Sequence, residues 1–105
     1  MSTLGRILVV DDTPVNVKLL ADLLAVKGYE VATAASGAEA LEQVARQRPD
    51  LVLLDVVMPG MTGYEVCRKL REDAKTATLP VVMVTAQQKQ KIALRITITS
   101  SSSLN

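Results

Sequence analysis

Short, unbroken apolar runs alternate with stretches of helical periodicity along most of this chain, and this alternation constrains the fold more than any other feature. Arg6–Val10 reads Arg-Ile-Leu-Val-Val, and Leu51–Leu54 and Val81–Val84 are further apolar runs; Tyr29–Ala34 is a second short strand, with Glu30 and Thr33 in it. Runs this short, rich in β-branched residues and without polar alternation, are the pattern of strands buried on both faces. The segments between them carry helix signals. Strand and helix alternating at this spacing predict an α/β fold, a parallel sheet covered by helices on both faces with right-handed crossovers.

The punctuation supports that reading. Thr13-Pro14 resembles an N-cap followed by proline at the first helical position. Leu19, Leu20, Leu23 and Leu24 then form one face of a helix, and Gly28 stands where a left-handed residue ends it. Ser36-Gly-Ala-Glu39 and Thr62-Gly-Tyr-Glu65 are capping boxes. The first opens a helix with Ala40, Leu41 and Val44 inward, broken at Arg48-Pro49-Asp50; the second opens one carrying Val66, Cys67 and Leu70. Cys67 is expected to be a small core residue, Met83 strand filling, Tyr64 part of the helix start and Asn16 a polar first-turn residue. Asp50 and Asp73 are expected to act as turn formers and caps.

Composition narrows the chemistry. Of the 105 residues only two are aromatic, both tyrosine, so Val, Leu, Ile, Ala and Met must build the core. A formal charge of +1 offers no general field for nucleic acid or anionic lipid, so neither is expected as a direct partner. No apolar run reaches the ~18–20 residues a membrane span needs, and the start has no basic region leading into a long apolar stretch, so no signal peptide is expected. One cysteine excludes an internal disulfide and a cysteine zinc cluster. The absence of histidine excludes Ser-His-Asp and Cys-His catalysis, histidine-ligated metals and a histidine phosphocarrier in this chain. Gly-x-Gly-x-x-Gly and Gly-Lys-Ser/Thr phosphate loops are absent too.

What remains is carboxylate chemistry. Asp11 and Asp12 end the first strand, Asp55 ends the third, and Thr85 ends the fourth. In an open parallel sheet ligands bind beyond the carboxyl ends of the strands. If the first and third strands are neighbours, three carboxylates converge there. Like charges so placed need a counter-charge, and a hard divalent cation such as Mg²⁺, with its oxygen ligands and retained waters, supplies one. An aspartate beside such an ion can attack phosphorus to give an acyl phosphate.

Three motifs carry a family resemblance. Ile7-Leu-Val-Val-Asp-Asp12, Leu51-Val-Leu-Leu-Asp-Val-Val-Met-Pro-Gly60 with Gly63, and Val82-Met-Val-Thr-Ala86 resemble the receiver domain of two-component response regulators, in order and spacing, over about residues 6–86. The resemblance implies a cytoplasmic signalling domain of flavodoxin-like, three-layer fold with sheet order 2-1-3-4-5. It implies that Asp55 is the phosphoacceptor, that Asp12 ligates Mg²⁺ directly and Asp11 largely through water, and that the backbone carbonyl of Val57 is a further ligand. Thr85 would hydrogen-bond the phosphoryl group and switch with it, Ala86 would leave room beside it, and Met58-Pro59-Gly60 would shape the loop over the cleft. The donor would be a histidine kinase or a His-containing phosphotransfer protein, or a small acyl phosphate, and the chain would be a recipient rather than an enzyme. A Mg²⁺ aspartyl phosphatase is disfavoured, because the acid such sites want two residues after the nucleophile is Val57.

The resemblance breaks down after Ala86. The family continues with a helix, a fifth strand ending in Lys-Pro and a last helix. Here Gln87–Lys91 is a five-residue polar linker, and Ile92, Leu94, Ile96 and Ile98 alternate with Ala93, Arg95, Thr97 and Thr99 before a serine-rich close. That is a period-2 strand signal, and a parallel crossover needs a dozen or more connecting residues. The expected architecture is therefore a receiver core over 1–86, sheet order 2-1-3-4, and a tail over 87–105 within the same domain. The tail supplies an atypical fifth strand, either in a hairpin or exchanged with another copy as a homodimer through residues 87–105, without the usual last helix or the family lysine. A switch-deficient interaction module that self-associates through this strand is the alternative function.

Overall fold

The structure, a computed structural model, describes residues 4–84. Its elements follow the order β1 (Arg6–Val10), α1 (Pro14–Val26), β2 (Glu30–Ala34), α2 (Gly37–Arg46), β3 (Leu51–Asp55), α3 (Gly63–Glu72) and β4 (Val81–Val84). The four strands form one sheet in the order β2-β1-β3-β4, all neighbours parallel. This is the expected flavodoxin-like receiver architecture in three layers. The fifth strand expected from residues 92–98 lies outside the described residues, as do Thr85 and Ala86.

Register explains the two cores. Val9 pairs with Leu53 and Val10 with Leu54, so alternate residues of each strand share a face. Leu8, Val10, Val52 and Leu54 meet Ala40 and Val44 of α2, Val66 and Leu70 of α3, and Met58 and Leu79 from loops. On the other face Ile7, Val9 and Leu53 meet Leu20 and Leu24 of α1. Strands so placed are apolar throughout because neither face reaches water.

The helix termini differ in detail from their sequence signals. Ser36 Oγ accepts from Glu39 N–H (3.1 Å), while the Glu39 carboxylate accepts from Ala35 N–H (3.0 Å), one residue before the cap. Thr62 Oγ1 accepts from Glu65 N–H (3.3 Å). Thr13 does occupy the N-cap of α1 with Pro14 next, but its side chain makes no capping bond; its N–H instead donates to Asp11 Oδ1 (3.0 Å). The leucines of α1 are also divided. Leu20 and Leu24 are buried, but Leu19 is 47% exposed, because a helix lying on one sheet face buries a narrower stripe than four leucines span. Gly28 has φ +102°, the left-handed conformation expected of it.

Asp50 and Asp73 are structural. Asp50 Oδ2 accepts from Arg6 N–H (2.7 Å), holding the start of β1, and Asp73 Oδ1 accepts from Lys75 N–H (2.9 Å). Beyond α3 the connection is tied by groups the sequence did not single out. The buried Thr76 hydroxyl donates to the Leu70 carbonyl (2.6 Å), Arg71 donates to the Thr76 and Ala77 carbonyls (3.2 and 3.1 Å), and Leu79 is fully buried. Among the described residues no helix is long and apolar enough to cross a membrane.

Candidate functional site

Because β1 and β3 are adjacent and parallel, their carboxyl ends lie side by side. Asp55 is the last residue of β3, and Asp11 and Asp12 follow β1 directly. One carboxylate oxygen from each of Asp11, Asp12 and Asp55 lies within 4.8 Å of the others. Asp11 is 2% and Asp55 5% exposed, whereas Asp12 faces solvent. The site therefore has two carboxylates in the protein surface layer and a third at its mouth.

Backbone groups orient the two buried acids. Asp11 Oδ1 accepts from Thr13 N–H, and Asp55 Oδ1 accepts from Val57 N–H (3.3 Å). The strand ends are themselves pinned, Asp11 N–H donating to the Ala34 carbonyl (3.1 Å) and Val56 N–H to the Val84 carbonyl (3.2 Å). After Val57, whose side chain is exposed, the loop turns back through Gly60 at φ +82°. Gly63 N–H then donates to the Val56 carbonyl (3.0 Å). A Cβ at Gly63 would run into the Asp55 carbonyl oxygen and lie 3.0 Å from Val56 Cα. Glycine is required there by close backbone approach, so the start of α3 presses against the residue that bears the buried carboxylate. Met58, read from sequence only as loop, is buried in the core and anchors the same turn.

The donor set fits a hard cation. All three side chains offer carboxylate oxygen, and oxygens on opposite sides of a Mg²⁺ ion stand about 4.2 Å apart at its ~2.1 Å bond lengths. The three oxygens lie within 4.8 Å of one another, close to that spacing.

Beside the acids lies a feature not anticipated from sequence. A cavity of about 390 Å³ runs from Asp11 and Asp12 between α1 and the β2–α2 turn, lined by Val17, Lys18, Ala21, Ala34 and Glu39 among others. Its walls come from two helices and two strand ends, and no local motif marks residues that become neighbours only through the sheet order. Of the other expected site residues, Val57 meets Asp55 through its N–H, and Thr85 follows Val84, whose Cα pairs with Asp55, but is itself outside the described residues.

Comparison with known proteins agrees with this geometry. The family model of the response regulator receiver domain matches residues 7–100. The chain is 56% identical over 82 residues to the response regulator PleD of Caulobacter vibrioides, covering 78% of this chain and 18% of that protein. It is 37% identical over 87 residues to protein PilH of Pseudomonas aeruginosa, covering 83% and 72%. It thus spans less than a fifth of the first relative and most of the second. Among solved structures, response regulator TrrA from Thermotoga maritima, in complex with Mg²⁺ and a beryllium fluoride, superposes with a TM-score of 0.73 at 36% identity, covering 89% of this chain and 81% of that one. Fold, strand-end acids and family match agree: the chain belongs to the response regulator receiver domain family.

Proposed function

We propose that Asp55 of this receiver domain accepts a phosphoryl group from a phosphohistidine on a histidine kinase or a His-containing phosphotransfer protein, with Mg²⁺ held by Asp11, Asp12, Asp55 and the Val57 carbonyl. The observation that carries the proposal is the meeting of three carboxylate oxygens within 4.8 Å at the ends of β1 and β3. The Mg²⁺–BeF complex of TrrA supports it by similarity.

The chain's own residues prepare one step. The Val57 N–H holds Asp55 Oδ1, which fixes the rotation of the carboxylate before a donor arrives. A carboxylate oxygen of Asp55 attacks phosphorus, the bond from phosphorus to the donor nitrogen breaks, and the nitrogen keeps the electron pair. The product is an acyl phosphate on Asp55. A bound Mg²⁺ would neutralise charge on the transferring group. Exposed Asp12 would ligate the ion directly, and buried Asp11 would act on it largely through water. Thr85 is proposed to bond the phosphoryl oxygens afterwards and so report the change. Residues 1–105 contain no histidine, so the donor histidine lies outside them. The chain acts as a cytoplasmic recipient and not as a turnover enzyme.

The test is incubation with acetyl phosphate and Mg²⁺, read by intact mass. One added phosphoryl group, absent without Mg²⁺ and absent in Asp55→Asn, is the expected result. No mass change in the unaltered chain, or an unchanged gain in Asp55→Asn, would overturn it.

A further inference from the structure

We propose that Gly37, the first residue of α2, is a positioning residue for the acid site. Because it has no Cβ, Met61 and Val66 close against it, and this closure sets the start of α3 and the loop that carries Val57. The inference rests on the reading that Asp11, Asp12 and Asp55 hold Mg²⁺.

Backbone conformation does not require glycine at position 37. Among the described residues the glycines with positive φ are Gly5, Gly28 and Gly60. Nor does the cap require it. Ser36 and Glu39 make the capping bonds on either side, and alanine is ordinarily the better helix former. Space does require it. Gly37 is buried, and a Cβ there would stand 2.8 Å from Val66 Cγ2, 3.0 Å from Met61 Cβ and 3.1 Å from Met61 Sδ. Carbon atoms in good contact stand ~3.5–4.0 Å apart.

Neither side of this contact gives way cheaply. Val66 is packed in the core, and a β-branched side chain on a helix has one strongly preferred rotamer. Met61 Sδ can swing aside, but Met61 Cβ moves only with its own backbone. On the other side, α2 begins shortly after Ala34, which is buried, pairs with Val10 in the sheet and accepts at its carbonyl from the Asp11 N–H (3.1 Å). The start of α2 is therefore tied to the end of β1. The displacement that a Cβ would cause falls on residues 61–66.

That segment bears on Asp55. Gly63 lies between Met61 and Val66, with no room for a Cβ beside the Asp55 carbonyl. Its N–H bond to the Val56 carbonyl closes residues 57–62 into a tight loop, within which Met61 N–H donates to the Pro59 carbonyl (3.0 Å). Val57 is in that loop; its N–H holds Asp55 Oδ1, and its carbonyl is the proposed further ligand. Two glycines thus fix the start of α3. Gly63 admits it against the Asp55 backbone, and Gly37 admits it against α2. Close-packed interiors transmit such shifts, and metal ligands depend on the groups that hold them.

The test measures the Mg²⁺ affinity of the full chain by NMR titration, following the Val57 and Gly63 amides, beside melting in EDTA. Gly37→Ala should bind Mg²⁺ about tenfold more weakly than the unaltered chain, a loss typical when groups behind metal ligands are altered. Its Val57 and Gly63 amide signals should already be shifted in EDTA. Val44→Ala, a truncation in the same core farther along α2, should lower the melting temperature and leave the Mg²⁺ affinity as it was. Equal affinity in Gly37→Ala and the unaltered chain would overturn the inference. So would an equal loss in Val44→Ala, because loosening of the core would then explain both. If Gly37→Ala does not fold, combining it with Val66→Ala removes the shortest contact and keeps the one to Met61. The double variant should bind Mg²⁺ more weakly than Val66→Ala alone, and equal binding would overturn the inference. If the unaltered chain binds no Mg²⁺, the reading of the acid site falls, and this inference with it.

Discussion

Asp11, Asp12 and Asp55 bring three carboxylate oxygens within 4.8 Å of one another at the strand ends. Three carboxylates so close repel one another, and two of them are withdrawn from water, which weakens screening. Removing one charge should therefore stabilise the metal-free protein while weakening metal binding. For Asp12→Asn, melting in EDTA should occur at a higher temperature than for the unaltered chain. Added Mg²⁺ should raise the melting temperature of the unaltered chain by mass action and that of the variant much less. Equal Mg²⁺-induced shifts in the two proteins would show that Asp12 is no ligand. At this scale the sequence was informative, because an acid placed directly after a buried apolar strand has no role in the strand itself. Gly63 stood out only as part of the family motif, and the physical need for glycine there comes from the Asp55 carbonyl against it. A glycine between Thr62 and Tyr64 reads the same with or without that contact.

The three helices separate cap signals from cap function. Ser36 and Thr62 each accept a hydrogen bond from the N–H three residues on, so the capping boxes read from sequence correspond to bonds. Thr13 has the right identity and position, with Pro14 after it, yet its hydroxyl makes no such bond. Asp11, held at the end of β1, takes the Thr13 N–H and turns the chain into α1 from outside the helix. Ser36→Ala should consequently cost about 1 kcal/mol, whereas Thr13→Ala should stay within about 0.5 kcal/mol of the unaltered chain. Urea unfolding of both variants measures the difference, and equal losses would mean that α1 is capped by Thr13 after all. The connection from α3 to β4 lies at the same scale. Its Thr76 and Arg71 bonds to backbone carbonyls reinforce two successive turns, closed by Thr76 N–H to the Asp73 carbonyl and Leu79 N–H to the Thr76 carbonyl, and isolated threonine and arginine residues carry no sign of such use.

Across the whole molecule, one sheet serves two cores of unequal depth. Leu54 is fully buried against α2 and α3, while Leu19 is half exposed on α1 although the sequence groups it with Leu20 and Leu24. Leu54→Ala should cost about 2–5 kcal/mol, and Leu19→Ala no more than about 0.5 kcal/mol, both by equilibrium denaturation. Comparable losses would mean that Leu19 is packed as deeply as Leu54. By itself the sequence determined the four strands and three helices of the described residues and the acids at the ends of β1 and β3. Those properties follow from local periodicity, capping and the short reach of a buried run. It determined the family as well, since the acids occur at fixed distances from those runs. Only the tertiary structure decided that Asp55 would meet Asp11 and Asp12, because that meeting requires β3 to lie beside β1 rather than at the sheet's edge. It also decided the depth of each leucine and the cavity between α1 and the β2–α2 turn. Strand order and helix placement are settled by how all the apolar faces are covered together, and no single segment contains that information.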